Sequence, residues 1–554
     1  VANVEFNLAL VHETVAAAVP DRPCLVWGER RLSYAEVTDR SRRLAHWLQA
    51  RGLGSHRSRR ELEGHQSGQD HLGLYLYNGN EYLEAMLGAY KARVAPFNVN
   101  YRYVEEELRY LLANACTRGL VYHSCFAPTL AAVLPDVDGI DVLLQVADDS
   151  GNDLLPGALD YEAALASISA QALADAPLRA EPSPDDLYVL YTGGTTGMPK
   201  GVLWRQHDIF MAAMGGRAIG SWEELTSYEE IATRAAAASE LRSMLLPPLM
   251  HGAAQWTAFV MMTRGGTLVL PSDTRNLDPA DVWRTVERER ANSITVVGDA
   301  MARPLIEELE RGHYDVGSLF YFGNGGAALN PVLKERLLER LPALRLSDSV
   351  GSSETGAQMT HVSEKGAVAT GRFDPGPGTV VVSEDLSRVL GPDDDEIGWL
   401  AQAGQVPLGY LEDAPKTART FPTIGGSRYS VPGDRARVLA DGQIELLGRD
   451  AVTINSGGEK IFAEEVEQAI SGHRSVADVV VVGRPSERWG QEVVALVRLA
   501  EGSTPTVEEL LDHAATHIAR YKLPKAIAFL ADLHRSPSGK ADYRWAAEQA
   551  RQLG

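Results

Sequence analysis

Short β-rich runs alternate with helix-length amphipathic segments through most of this chain, and that alternation restricts the fold more than any other feature. Leu74 to Tyr77, Thr267 to Leu270 and Ile294 to Val297 are such runs, lying between segments with helical spacing. Strands joined by crossover helices make a mostly parallel sheet, so the reading is an α/β protein. Ser33-Tyr34-Ala35-Glu36 has the pattern of a capping box; Val37, Leu44 and Leu48 follow at helical spacing, and Gly52 supplies the stop. Ser55 to His71 is polar and lacks apolar periodicity. It is expected to be an irregular, disordered surface insertion that tolerates removal of Gln66 to Asp70. Near Gly448-Arg449-Asp450 the pattern changes to a helix around Ala463 to Ile470, β runs Val479 to Val482 and Val493 to Val497, and a helix around Val507 to Arg520. The expectation is a large N-terminal domain over 1–448 and a small α+β C-terminal domain over 449–554.

A chain of 554 residues can bury more than one core. Asp plus Glu number 74 against 53 Lys plus Arg, a net charge of −21 that repels phosphate backbones and argues against nucleic acid as a partner. Cys24, Cys116 and Cys125 are odd in number and form no C-x-x-C pair. Neither a disulfide framework nor a zinc site is expected, and a reducing cytoplasm is. No apolar run approaches the roughly 18 residues of a transmembrane segment, and no targeting or lipidation signal is evident at either end.

The strongest chemical signal is Tyr191-Thr192-Gly193-Gly194-Thr195-Thr196-Gly197-Met198-Pro199-Lys200-Gly201, placed after the apolar run Leu187 to Leu190. Glycines allow a polyanion close to the backbone, threonine hydroxyls donate to phosphoryl oxygens, and Lys200 adds a point charge. Pro199 before Lys200 rules out a Walker A loop. Gly323-Asn324-Gly325-Gly326-Ala327-Ala328 follows the run Leu319 to Phe322 and fits G-x-G-x-x-A, which makes a dinucleotide-binding dehydrogenase the rival. Asn330-Pro331, however, reads as an N-cap with proline in the first turn, which starts the helix beyond the glycines. Ser347-Asp348-Ser349-Val350-Gly351-Ser352-Ser353-Glu354-Thr355-Gly356 does not fit the G-x-S-x-G elbow of a serine hydrolase.

The Tyr191–Gly201 loop resembles the phosphate-binding signature of the adenylate-forming superfamily of acyl-CoA synthetases, peptide-synthetase adenylation domains and luciferases. The other motifs follow in that family's order over nearly the whole chain. The resemblance implies that Thr192, Gly193, Gly194, Thr195, Thr196, Gly197 and Lys200 cradle the phosphates of ATP. It implies that Asn324, Gly325, Gly326 and Ala327 flank adenine and substrate, that Ser353 touches the α-phosphate and that Glu354 holds Mg²⁺. Tyr429-Ser430-Val431-Pro432-Gly433-Asp434 supplies Asp434 for the ribose hydroxyls. Gly448-Arg449 marks a hinge at 449–451 on which the C-terminal domain is mobile, with Arg449 near the nucleotide. Ser456-Gly457-Gly458-Glu459-Lys460 brings Gly457, Gly458 and Lys460 to CoA. Ser536-Pro537-Ser538-Gly539-Lys540 carries the catalytic Lys540, and Pro247-Pro248-Leu249-Met250-His251-Gly252 a gating His251. Gly252 stands where amino-acid-activating relatives carry an aspartate, which disfavours an amino-acid substrate.

The expected activity is ATP-dependent ligation of a carboxylic acid to CoA through an acyl-adenylate, releasing AMP and pyrophosphate. Trp256, Met261, Met262 and Met301 fall in segments that line the family's acyl pocket. Val99 to Val104, Gly298 to Pro304 and Val350 to Glu354 resemble actinobacterial synthetases that activate fatty acids or cholesterol side chains. The favoured substrate is therefore a medium-to-long-chain or steroid-linked acid. An enzyme that loads a carrier protein is the alternative, although few residues follow Lys540. A homodimer is left open.

Overall fold

The computed structural model describes residues 4–553 except 177, 179–180, 195–196, 219–220, 239, 369–370, 450–451, 457–458, 487–488 and 536–539. Among the described residues the strands form three sheets of sixteen, eight and five strands. The α/β layout read from the sequence is present. In the eight-stranded sheet, Ala95–Asn98, His71–Tyr75, Thr117–His123 and Val142–Val146 run parallel, and the hairpin Leu187–Gly194/Gly197–Arg205 is added at one side. In the largest sheet the strands Thr267–Leu270, Arg242–Leu245, Ser293–Val296, Tyr321–Gly325 and Arg345–Ser352 are parallel neighbours. Thr267–Leu270 is buried along its whole length, as expected for a central strand covered on both faces.

Local signals explain the helices between them. Ser33 and Glu36 form a reciprocal capping box that opens the helix Tyr34–Ala50, and Gly52 lies beyond its end with φ of +81°. Asp278 caps the helix Pro279–Glu289 through its side chain, with proline in the first turn. The C-terminal sheet is built from residues 453–529. Its long hairpin Val476–Ser486/Gly490–Leu499 is sandwiched between the helix Ala463–Ser471 on one face and the helix Tyr543–Gln552 on the other.

The polar insertion is the irregular surface loop that its composition predicts, but it is tied to the domain beneath it. Ser55 bridges Gln69, and a short 3₁₀ turn spans Arg59–Glu61. Gln69 accepts the Leu187 N–H at 2.6 Å and donates to the Arg93 carbonyl at 2.8 Å, while the Glu412 N–H reaches His65 O at 2.8 Å. Gly64 lies so close to Leu408 that a Cβ would stand 2.5 Å from its carbonyl oxygen. Hydropathy does not reveal this anchoring, because Gln69 and the His65 carbonyl bond to backbone outside the loop while many of its other polar side chains face solvent. The expectation that Gln66 to Asp70 is dispensable is therefore corrected. The strand expected at Leu319 to Phe322 also shifts, to Tyr321–Gly325, because Gly323 and Gly325 continue the ladder opposite Ser347 and Ser349.

Candidate active site

Two buried asparagines set the frame. Asn98, closing its strand, donates from Nδ2 to Tyr191 O at 2.8 Å and Met250 O at 2.6 Å, and its Oδ1 accepts the Tyr191 N–H at 2.7 Å. Asn78 donates to Pro247 O at 3.0 Å and accepts the Leu249 N–H at 2.6 Å. The Gly/Thr-rich hairpin and the segment leading to His251 are thus held to each other through the parallel sheet. No motif pointed to either asparagine.

In that hairpin Thr192 stands opposite Lys200, with a register shift before Gly194, which pairs with Gly197. Gly193 lies within the shift, and Thr195 and Thr196 lie outside the described residues. Gly201 is required by close approach, since a Cβ there would meet the Tyr191 ring at 2.8 Å. Facing the hairpin, the strands Arg345–Ser352 and Gly356–Ser363 are joined by a turn that presents Ser353 and Glu354. Trp204 Nε1 donates to Ser353 O at 2.8 Å and Ser430 Oγ to Glu354 O at 2.6 Å, so side chains from two other elements pin the turn. Glu354 Oε1 accepts the Tyr410 hydroxyl at 2.8 Å. The Lys200 and Lys416 ammonium groups lie 5.7 and 5.9 Å from the Tyr410 ring centre. Burial, with the Lys200 charge, pulls the Lys416 ammonium below the usual lysine range. Two cations in this proximity suit an anion between them. Lys416 was missed because it lies in no motif.

Asp434 and Arg449 are register partners on adjacent strands, with Nε to Oδ1 at 3.2 Å, and the Asp434 carboxylate raises the Arg449 guanidinium above its ordinary value. Lys540 comes to the same place from the other end of the chain. Confinement by protein and the Arg449 charge lower its ammonium, while Glu354 and Asp434 oppose that shift. It keeps solvent-exposed surface in the cleft. His251 caps the helix Gly252–Thr263; burial, with Lys540 and Arg102 nearby, pushes its imidazole down to about 4, so it is neutral at pH 7. Its Nε2 is buried and has no hydrogen-bond partner.

Thr192, His251, Trp256, Asn324, Gly325, Gly326, Ser353 and Lys540 all line one cavity of about 1190 Å³. Asn324 is a brace within its wall, donating to Ala327 O at 3.0 Å and Asp348 Oδ1 at 2.8 Å and accepting the Gly298 N–H at 2.7 Å. Ala327 lies beside Gly298 and does not reach the cavity lining. Met301 does not line it either: it packs on the core formed with the helices Pro279–Glu289 and Pro331–Arg340. Met262 is buried in another core, whereas Met261 reaches the cavity. Gly457 and Gly458 lie outside the described residues, as does the Lys460 side chain. Asn330 caps the helix that starts at Pro331, leaving Gly323 and Gly325 inside a strand and not in a pyrophosphate turn, so the dehydrogenase reading fails.

Among the described residues no group of three His, Cys, Asp or Glu side chains could hold a metal, and no helix is long and apolar enough to cross a membrane. Glu354 nonetheless fits Mg²⁺, which is typically held by one or two carboxylates together with water and substrate phosphates.

Comparison with known proteins agrees with this geometry. The family described as AMP-binding enzyme matches residues 12–411, and the AMP-binding enzyme C-terminal domain matches residues 465–540. The medium-chain acyl-CoA ligase Mig of Mycobacterium avium is 60% identical over 98% of this chain and 98% of its own. A medium/long-chain-fatty-acid–CoA/3-oxocholest-4-en-26-oate–CoA ligase of Mycobacterium marinum is 42% identical over 99% of this chain and 97% of its own. The crystal structure of the anthranilate CoA ligase AuaEII in complex with anthranoyl-AMP shares the fold, with a TM-score of 0.81 at 18% identity over 99% of this chain and 98% of that one. Matched by the family over most of its length, the chain belongs to the AMP-binding enzymes, in their acyl-CoA ligase branch.

Proposed function

We propose that this ligase activates a medium-to-long-chain or steroid-linked carboxylic acid with ATP and transfers the acyl group to CoA. The observation that carries the reading is Lys540, which lies within electrostatic reach of Glu354, Asp434 and Arg449 and lines a long cavity walled by Trp256 and Met261. The substrate carboxylate attacks the α-phosphorus of ATP, forming acyl-adenylate and releasing pyrophosphate. Lys540 neutralises charge on the carboxylate and α-phosphate while the bond to pyrophosphate breaks, and Thr192, Lys200 and Lys416 hold the departing phosphates. Asp434 accepts from the ribose diol. Glu354 would hold Mg²⁺, which when bound lessens the charge on the phosphates.

The domains divide at residues 448 and 449 in this reading. Rotation about 449–451 withdraws Lys540 and brings the Gly457-Gly458 loop and Lys460 to the pantetheine arm, after which the CoA thiol displaces AMP. The relatives named for fatty and 3-oxocholestenoic acids support an apolar acid, and the absence of a carboxylate at Gly252 supports one without an ammonium group. A cytoplasmic location and self-association are compatible with this chemistry. The test is a panel of fatty, steroid-linked and amino acids with ATP and CoA, scored for pyrophosphate, AMP and acyl-CoA. Selective turnover of fatty or steroid-linked acids is expected; preference for amino acids, or AMP without acyl-CoA, would overturn the reading.

A further inference from the structure

The cavity has a second end that adenylate chemistry does not use. Trp256, Thr257, Val260, Met261 and Arg264 lie at helical spacing along one face of the helix that His251 caps, and all line it. At 1.5 Å per residue the distance from His251 to Arg264 is about 19 Å. Opposite them the strands present cross-strand rows. Gly325 and Ser349 form one near the nucleotide end. Ser243, Ser293, Tyr321 and Arg345 form another, in register across four parallel strands, two rows farther away.

That far row is polar although the passage toward it is walled by Trp256, Val260 and Met261. Ser293 is 9% exposed, and its Oγ is buried without any hydrogen-bond partner. Arg264, itself exposed to solvent, lines the same end and forms no ion pair with any described carboxylate. A purely apolar tail end would leave the buried Ser293 hydroxyl without a partner, whereas an oxygen would satisfy it and accept from the Arg264 guanidinium as well. A tail reaching them from the carboxyl end would contain roughly fifteen carbon-carbon bonds, at about 1.3 Å of advance for each 1.5 Å bond.

We propose that Ser243, Arg264, Ser293 and Tyr321 form a tail-end subsite for a hydrogen-bond-accepting oxygen, a ketone or hydroxyl at the end of the acid remote from its carboxylate. The inference rests on the acid-ligase reading and adds a second recognition point to it. Pyrophosphate release is measured on n-alkanoic acids and their ω-hydroxy and ω-1-oxo counterparts of matched length. The wild type should prefer the oxygenated acid by about tenfold in kcat/KM at the length that spans the cavity, because a site built to hydrogen-bond an oxygen discriminates against the analogue lacking it. Arg264→Gln and Ser293→Ala should each bring that ratio toward one. If Arg264→Gln does not accumulate as folded protein, Ser293→Ala, which removes one hydroxyl, carries the same test. A ratio near one in the wild type at every length, or a preference that survives both substitutions, overturns the subsite while leaving the ligase reading intact. Failure of every acid to release pyrophosphate sinks both.

Discussion

Lys540 has two anionic residues and one cation within electrostatic reach, and its own charge is needed only while pyrophosphate departs. Lys540→Ala should cripple formation of acyl-adenylate far more than transfer from supplied acyl-adenylate to CoA. Separate assays of the two half-reactions check this, and equal losses would remove the assignment. His251 behaves differently because burial keeps it neutral and leaves Nε2 without a partner. As a shield between the adenylate and the CoA path, its replacement in His251→Ala should let water reach the intermediate, so that AMP exceeds acyl-CoA while pyrophosphate release persists. Tight coupling of the two products would make His251 structural. The residues that adjacent sequence made legible were those whose chemistry sits in one short stretch, such as Glu354 in its turn and Asp434 beside its glycine. Asn78 and Asn98 were illegible because each works through partners 93 or more residues away, and Lys416 because it gains meaning only beside Lys200 at the Tyr410 ring, neither of which a local pattern encodes. Met301 misled for the opposite reason: proximity in sequence to a pocket segment says nothing about which side of a helix faces the core.

Elements were legible where local and tertiary demands agree. The capping box at Ser33, the Asn330-Pro331 start and the buried strand Thr267–Leu270 need no knowledge of the rest of the chain. The polar insertion was legible as a surface loop, but its anchoring was not, because that depends on Leu187, Arg93 and Glu412, which are distant in sequence. Deleting Gln66 to Asp70 removes the Gln69 bonds to Leu187 and Arg93 and should lower the melting temperature and soluble yield. A melting curve matching that of the intact chain would restore the view that the segment is an appendage. Asn98 joins the phosphate hairpin to the His251 segment, so Asn98→Ala leaves the Tyr191 amide and two carbonyls without these partners. The expected cost is about 1–3 kcal/mol for each group left buried and unsatisfied, with loss of activity exceeding loss of fold. Denaturant titration alongside pyrophosphate release measures both, and an unchanged stability would show that water replaces the side chain.

At the scale of the whole molecule the question is what holds the C-terminal domain with Lys540 facing the cleft. The Arg449 N–H donates to Glu464 Oε2 at 2.7 Å, and Gly448, with φ of +115°, lies so close that a Cβ would stand 1.6 Å from the same oxygen. Burial pushes the Glu464 carboxyl up to about 8; Glu467 and Asp434 reinforce the shift, while the hydrogen bond from the Arg449 amide and the Arg449 charge oppose it. A carboxyl whose pKa is raised in one arrangement favours that arrangement when protonated. Its contribution is therefore fully present below the ordinary value near 4.5 and is lost as pH rises through about 8. Raising the pH across that window should weaken the Lys540-facing arrangement, lowering the rate of adenylation relative to thioester formation. Lys540 titrates in its own right, so the informative comparison is with Glu464→Gln, which keeps an acceptor for the Arg449 amide but cannot ionise. The ratio of half-reaction rates should fall with pH in the wild type and fall less steeply in Glu464→Gln. Identical slopes would mean that Glu464 does not govern the domain equilibrium. Gly448→Ala should displace Glu464 at every pH and depress adenylation throughout, a loss that added protons cannot restore.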